Sequence, residues 1–249
     1  MEANLLFQMS YFPQHFPCMS LKILPDVTLV RSEIPNTNFN YVMNAQFTTD
    51  SLKESVLKTM GEFQGTPFAW WIAEKQGSKE LVNCLKTLGF SMKEPEVGMS
   101  LSLENFSSDR QRLHVKKVSD LQGLKDFSHV MVSLGEYPFV YDHFFSKMPP
   151  RLYQEEAPVE LYVAYHNQVP ITTGIVVFHA NVGGIYYIMT CPSYRQKGYA
   201  TKMTLFLLHQ IKLRGMNMAT LQASPMGKSL YQKLGFIPMC QFIEGVYHG

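Results

Sequence analysis

Cysteine, charge and long apolar runs are all scarce in this sequence, and each scarcity closes off a class of protein. No stretch approaches the roughly eighteen consecutive apolar residues of a membrane-spanning helix. Residues 1–16 combine neither a basic n-region nor a continuous apolar h-region, so neither a membrane span nor a signal peptide is expected. Cys18, Cys84, Cys191 and Cys240 are scattered without a CxxC pair. That pattern argues against a disulfide framework and points to unpaired thiols in a reducing compartment, by default the cytoplasm. The eight histidines form no HxH or HExxH arrangement, so no metal is expected. Charged residues make up only 17% of the 249, against 46% hydrophobic and 13% aromatic. Such a balance excludes disorder, collagen and coiled coil, and leaves a globular chain able to bury a core unaided.

The net charge of +2 hides an asymmetry. Residues 1–110 carry 9 Lys/Arg against 12 Asp/Glu and residues 111–249 carry 13 against 8, so the halves stand at −3 and +5. Within the basic half, 190–234 contains Arg195, Lys197, Lys202, Lys212, Arg214, Lys228 and Lys233 and no Asp or Glu, a field suited to an anionic ligand. The same half has legible elements: a strand at 113–118, a helix at 121–134 capped by Ser119, and a second helix at 138–148. A hairpin follows, 161–165 and 171–178 joined across His166 to Pro170, then a strand at 185–190. Ala200, Met203, Leu207, Leu208 and Ile211 recur at helical spacing over 199–213, with Gly215 just beyond. A strand at 219–223, a helix at 225–234 and a strand from Phe236 towards Val246 complete the order βααβββαβαβ, an α+β domain.

The first half repeats part of this pattern. A shift of 146 positions lays Leu88-Gly89-Phe90 over Leu234-Gly235-Phe236, each preceded by a strand and a short helix. In that register Leu85 stands where the second half has Tyr231, and no glycine occurs between Met43 and Met60, opposite Gly198. The expected organisation is therefore a degenerate repeat over 1–110 and a chemically equipped domain over 111–249.

The informative stretch is Thr190-Cys-Pro-Ser-Tyr-Arg-Gln-Lys-Gly-Tyr-Ala-Thr201, between an apolar strand and an amphipathic helix. The first turn of a helix leaves N–H groups unpaired at the positive end of its dipole, so a pyrophosphate can sit there if nothing obstructs the backbone. Gly198 and Ala200 leave that room. Here the sequence resembles the GNAT N-acetyltransferase family, whose phosphate loop reads Q/R-x-x-G-x-G/A: Arg195, Gly198 and Ala200 stand at the required spacing. A second family element follows, Ser224-Pro-Met-Gly-Lys-Ser-Leu-Tyr-Gln-Lys-Leu-Gly-Phe236, similar to the terminal block ending in LYxKLGF.

The resemblance spans roughly 113–247 and implies a largely antiparallel mixed sheet flanked by helices, with acetyl-CoA as cosubstrate. It implies backbone contacts from Ile188, Met189 and Thr190 to the pantetheine arm, and Gln196, Lys197, Gly198, Tyr199, Ala200 and Thr201 around the pyrophosphate. Ser224 stands where many relatives have Asn, with less reach but one hydroxyl to donate. Tyr231 matches the tyrosine that protonates the departing thiolate. The strand at 185–190 carries no carboxylate, so no general base is named. Glu136, Asp142 and His179 are candidates.

Three other readings compete with this one. Gln222 to Ser229 comes within one residue of a Walker A loop, but it lacks the first glycine and too little chain follows to hold a Mg²⁺-binding Asp. Nucleic-acid binding is not expected, since the basic residues lie among aliphatics without a recognised motif. An acyl-CoA-binding sensor that has lost turnover stays as the alternative to an enzyme. The expected acceptor is a small amine or a peptide N-terminus, drawn to an acidic, aromatic mouth built from 135–142 and 154–160, with Glu136, Asp142, Glu155, Glu156 and Glu160. A homodimer is among the assemblies expected.

Overall fold

The computed structural model describes residues 1–74, 78–107, 113–133, 144, 145, 147–153 and 157–249. In chain order the elements are α1 (Glu2–His15), β1 (Met19–Ile23), β2 (Thr28–Ser32), β3 (Tyr41–Met43), α2 (Leu52–Gly61), β4 (Phe68–Ala73), α3 (Ser78–Thr87), β5 (Ser91–Met92) and β6 (Glu96–Ser102). The second half continues with β7 (His114–Lys117), α4 (Leu121–Val132), β8 (Val159–His166), β9 (Val169–His179), β10 (Val182–Thr190), α5 (Tyr199–Leu213), β11 (Met218–Ala223), α6 (Lys228–Lys233) and β12 (Ile237–Tyr247).

Local chemistry explains most of these bounds. α5 occupies the predicted residues because Met203, Leu207, Leu208 and Ile211 share one face and are buried, each such burial contributing about 2 kcal/mol. The β8–β9 hairpin is longer than expected: its strands run to His166 and from Val169, and the turn is only Asn167-Gln168, at φ 49° and 65°. A two-residue turn with both φ positive matches the twist of the strands it joins. α4 is capped by Asp120 rather than the expected Ser119, because the Asp120 carboxylate accepts the Gly123 N–H at 2.7 Å. Of the helix expected at 138–148, most lies outside the described residues.

Among the described residues all strands join one sheet of twelve, in the order β1-β2-β3-β4-β12-β6-β11-β10-β9-β8-β7, with β5 paired to β12. The mixed, mostly antiparallel arrangement agrees with the expected fold class. The two halves exchange their last strands. β6 lies between β12 and β11, while β12 lies between β4 and β6. Glu96 pairs with Phe242, positions separated by 242 − 96 = 146, the spacing of the two LGF motifs. The boundary expected near 110 falls at 108–112, outside the described residues.

α1 lies across the middle of the sheet and was not anticipated from the sequence. Its Asn4 Nδ2 donates to the carbonyls of Val177, His179 and Val182 at 3.1, 3.3 and 2.9 Å, and its Oδ1 accepts the Tyr186 hydroxyl at 2.8 Å. Gly184 permits this approach, since a β-carbon there would meet the Asn4 carboxamide. No helix among the described residues is long and apolar enough to cross a membrane.

Candidate cofactor and catalytic site

The site begins where two strands part. β10 runs parallel to β11 only through Gly183–Ala219, Gly184–Thr220 and Ile185–Leu221. The register of β10 on β9 then shifts between Tyr186 and Met189, and Tyr187 takes φ 53°, a bulge that bends the strand away. Beyond it Met189 and Thr190 still pair with Thr173 and Thr172 of β9, but the ladder with β11 has ended. Ile188, Met189 and Thr190 thus border a wedge, half-buried, along which an extended polar chain can take strand-like hydrogen bonds.

At the open end of the wedge the chain turns into α5. A short turn at Pro192–Tyr194 leads to Gln196 at φ 60° and Gly198 at φ 78°, the N-cap of the helix. Space around the Gly198 α-carbon is open to 4 Å, so the left-handed backbone rather than crowding calls for glycine. The first bond into the helix, Lys202 N–H to the Gly198 carbonyl at 3.0 Å, leaves the preceding N–H groups free of helical partners. Arg195 Nε donates to the Thr190 carbonyl at 3.2 Å and Lys197 Nζ to the Ser193 carbonyl at 2.9 Å. Lys202 Nζ lies 5.9 Å above the Tyr199 ring, and the Tyr199 hydroxyl is 3.1 Å from His166 Nδ1. Three cations therefore surround a helix N-terminus, an arrangement able to hold a diphosphate.

The opposite wall is the β11–α6 junction. Ser224 Oγ accepts the Gly227 N–H at 3.3 Å, which leaves the Ser224 hydroxyl proton to donate outward. Tyr231 packs edge-on against Phe236, ring centres 5.9 Å apart, and its ring lies against Gly227. Burial, with a further push from the Glu96 charge, raises its phenol pKa to about 12, so it is a protonated donor at neutral pH.

Sequence reasoning did not single out Glu96. Along β6 it shares a face with Gly98, where Met1, the residue before α1, lies, and the Val97–Ala223 pairing sets it beside Ser224. It is half-buried, and its carboxylate has no hydrogen-bond or ion-pair partner among the described residues. Burial and the charge of Glu244, opposed by Lys93, raise its pKa to about 7. On the same face of β11, Thr220 Oγ1 and Gln222 Nε2 are buried without partners among the described residues. Tyr187, 38% exposed, stands across the wedge; burial raises its pKa, a hydrogen bond with Gln8 of α1 opposes that, and Glu96 adds to it. One signal could have found Glu96: the shift of 146 lays it over Phe242, on the last strand of the second half.

Two expectations need correction. His179 is at the far end of β9, opposite Val182, stacked on Phe7 with ring centres 4.2 Å apart, so it does not face the wedge. Glu160 lines no acidic mouth. It is 4% exposed, paired with Lys117 at 2.8 Å and with Arg214, and accepts the Tyr162 hydroxyl at 2.6 Å. Burial opposes its charge, but these three donors together hold its pKa below the usual carboxylate value. Glu136, Asp142, Glu155 and Glu156 lie outside the described residues.

Comparison with known proteins agrees with this architecture. Residues 157–238 match the family described as acetyltransferase (GNAT) domain. No curated protein matches the sequence significantly. Among solved structures, a GCN5-related N-acetyltransferase from Kribbella flavida is similar over 99% of this chain and 96% of its own, at TM-score 0.73 and 12% identity. A functionally unknown protein from Staphylococcus epidermidis is similar over 92% and 94%, at TM-score 0.66 and 16% identity. A tandem GNAT protein from the clavulanic acid biosynthesis pathway is similar over 99% and 87%, at TM-score 0.58 and 12% identity. At such identities the likeness is one of fold.

Proposed function

We propose that this chain, whose residues 157–238 match the acetyltransferase (GNAT) domain family, transfers acetyl from acetyl-CoA to an amine acceptor, a small amine or a peptide N-terminus, in the cytoplasm. The observation that carries this reading is the parting of β10 from β11 after Ile185, next to the left-handed Gly198 at the start of α5. In this reading Ile188, Met189 and Thr190 bind the pantetheine arm through their backbone. Residues 196–201 hold the diphosphate with Arg195, Lys197 and Lys202 as counter-charges, and Ser224 donates one further hydrogen bond. Tyr231 gives its proton to the thiolate as the C–S bond breaks, a task suited to a phenol kept protonated by burial. Strand backbone N–H groups polarise the thioester carbonyl.

The first half serves as a support without a CoA site of its own. The counterpart of the Gly198 loop is 49–52, where α2 follows a short turn at Thr49–Ser51 without any glycine. A cavity of about 310 Å³ adjoins it, and its charged lining residues are Glu2 and Glu80, carboxylates where a diphosphate needs cations. The test is calorimetric titration of the full chain with CoA, joined to a screen of amines that reads thiol release from acetyl-CoA. One CoA per chain and release with at least one amine support the reading. Binding without release would favour a non-catalytic acyl-CoA sensor, and a second equivalent of CoA would refute the support role.

A further inference from the structure

The strand exchange brings a residue of the first half to the reaction centre that the second half lacks. Resting on the acetyl-transfer reading above, we infer that Glu96, delivered by β6, is the base that deprotonates the acceptor amine, on the α1 face of the wedge. Register carries the argument. β6 enters the sheet beside β11, and its first residue stands one step past the Val97–Ala223 pair, level with the junction that carries Ser224 and leads to Tyr231. The alternation of side chains puts Glu96 on the face of Gly98, Thr220 and Gln222, where Gly98 adds no bulk. Thr220 and Gln222 supply two buried polar atoms without partners on that floor, an open valence that a polar ligand would satisfy.

The charges around Glu96 suit a base. Glu244 of β12 and burial disfavour its anion, and Lys93 before β6 favours it. Tyr231 of α6 and Tyr187 of β10, on which Glu96 acts, are neutral phenols whose pKa values are raised further above the ordinary phenol value. α1 contributes the uncharged Gln8, bonded to Tyr187. A carboxylate whose pKa lies close to neutral is poised to take a proton and release it again.

The step balances as follows. The acceptor ammonium gives one proton to Glu96, and the neutral nitrogen attacks the thioester carbon. The C–N bond forms, the C–S bond breaks with its electron pair on sulfur, and Tyr231 protonates that sulfur. The nitrogen loses its second proton as the amide forms, which restores the Tyr231 phenol, and Glu96 returns its proton to solvent.

The test compares wild type, Glu96→Gln and Glu96→Asp. Each is titrated with CoA and assayed by thiol release across pH with two probes: phenethylamine, an ammonium at neutral pH, and aniline, already neutral. Glu96→Gln should bind CoA as wild type does and lose about 10²–10⁴-fold in kcat/KM with phenethylamine, together with the limb that rises through neutral pH. With aniline the loss should be only a few-fold, and Glu96→Asp should recover part of the phenethylamine rate. Wild type that fails to bind CoA, or releases thiol with neither these amines nor any amine of the wider screen, overturns the acetyl-transfer reading and this inference with it. Turnover by Glu96→Gln at the wild-type rate, or equal losses on both amines, overturns the assignment of Glu96 alone.

Discussion

A carboxyl group kept half-buried without a partner should cost the fold stability, and Glu96→Gln should recover it in a pH-dependent way. Burial first, then the Glu244 charge, raise the Glu96 pKa from 4.5 to about 7. The folded state therefore binds this proton more tightly than the unfolded chain. Below the unfolded pKa both states are protonated and the group costs nothing; as pH rises towards the folded pKa, the unfolded chain ionises first and is favoured. The shift from 4.5 to about 7 is 2.5 powers of ten in proton affinity. At about 1.4 kcal/mol for each power of ten, the penalty reaches on the order of 3 kcal/mol above neutrality. Glutamine keeps the size of the side chain but cannot ionise. Urea unfolding of both proteins from about pH 4 to about pH 8 gives the difference directly, and pH effects of groups not coupled to Glu96 cancel in it. The variant should match wild type at the acid end and exceed it by roughly 3 kcal/mol at the alkaline end, with most of the change between the two pKa values. A difference that stays constant across that range would refute the reasoning.

Other expectations follow from the same geometry. Gly198→Glu should abolish CoA binding by calorimetry, since it sets a carboxylate at the helix N-terminus; Gly198→Ala, with no charge, should cost about 1–2 kcal/mol of stability through its left-handed φ. Tyr231→Phe keeps the ring on Phe236 and should lower kcat by about 10²–10⁴-fold while changing KM less, so a wild-type rate would return Tyr231 to a packing role. Asn4→Ala should destabilise by about 1–3 kcal/mol in urea unfolding, because the carbonyls of Val177, His179 and Val182 and the Tyr186 hydroxyl lose their partner. Glu160→Gln should show the opposite pH trend to Glu96→Gln: the Glu160 pKa is lowered, so its contribution is present above the ordinary carboxylate pKa and fades on acidification.

Local pattern carried much of the second half. The 3.6-residue period of Met203, Leu207 and Ile211 placed α5 at its observed ends, because those side chains must share one buried face whatever they pack against. The spacing of Arg195, Gly198 and Ala200 marked a helix N-terminus, and Gly198 is indeed its left-handed cap. Hairpin strands were legible from their apolar runs, while the turn was legible only as the five residues from His166 to Pro170, since composition does not say which two of them take positive φ. α1 escaped notice because polar Asn4 and Gln8 interrupt its apolar positions, and both are buried to bond with the sheet and with Tyr187.

The pairing of strands is another matter. A strand shows in its sequence which side chains face in and which face out, but the N–H and C=O groups that choose its neighbour are the same at every residue. Nothing along the chain therefore announced that β6 would leave its own half to lie against β11, or that β12 would close on β4. Tyr231 was visible from a local motif. Glu96 became its neighbour only through that exchange, and the partner-free environment that lifts its pKa arises from three strands and a helix meeting far apart in sequence. The chain wrote the Gly198 loop locally, and long-range hydrogen bonding between strands decided which carboxylate stands beside Ser224.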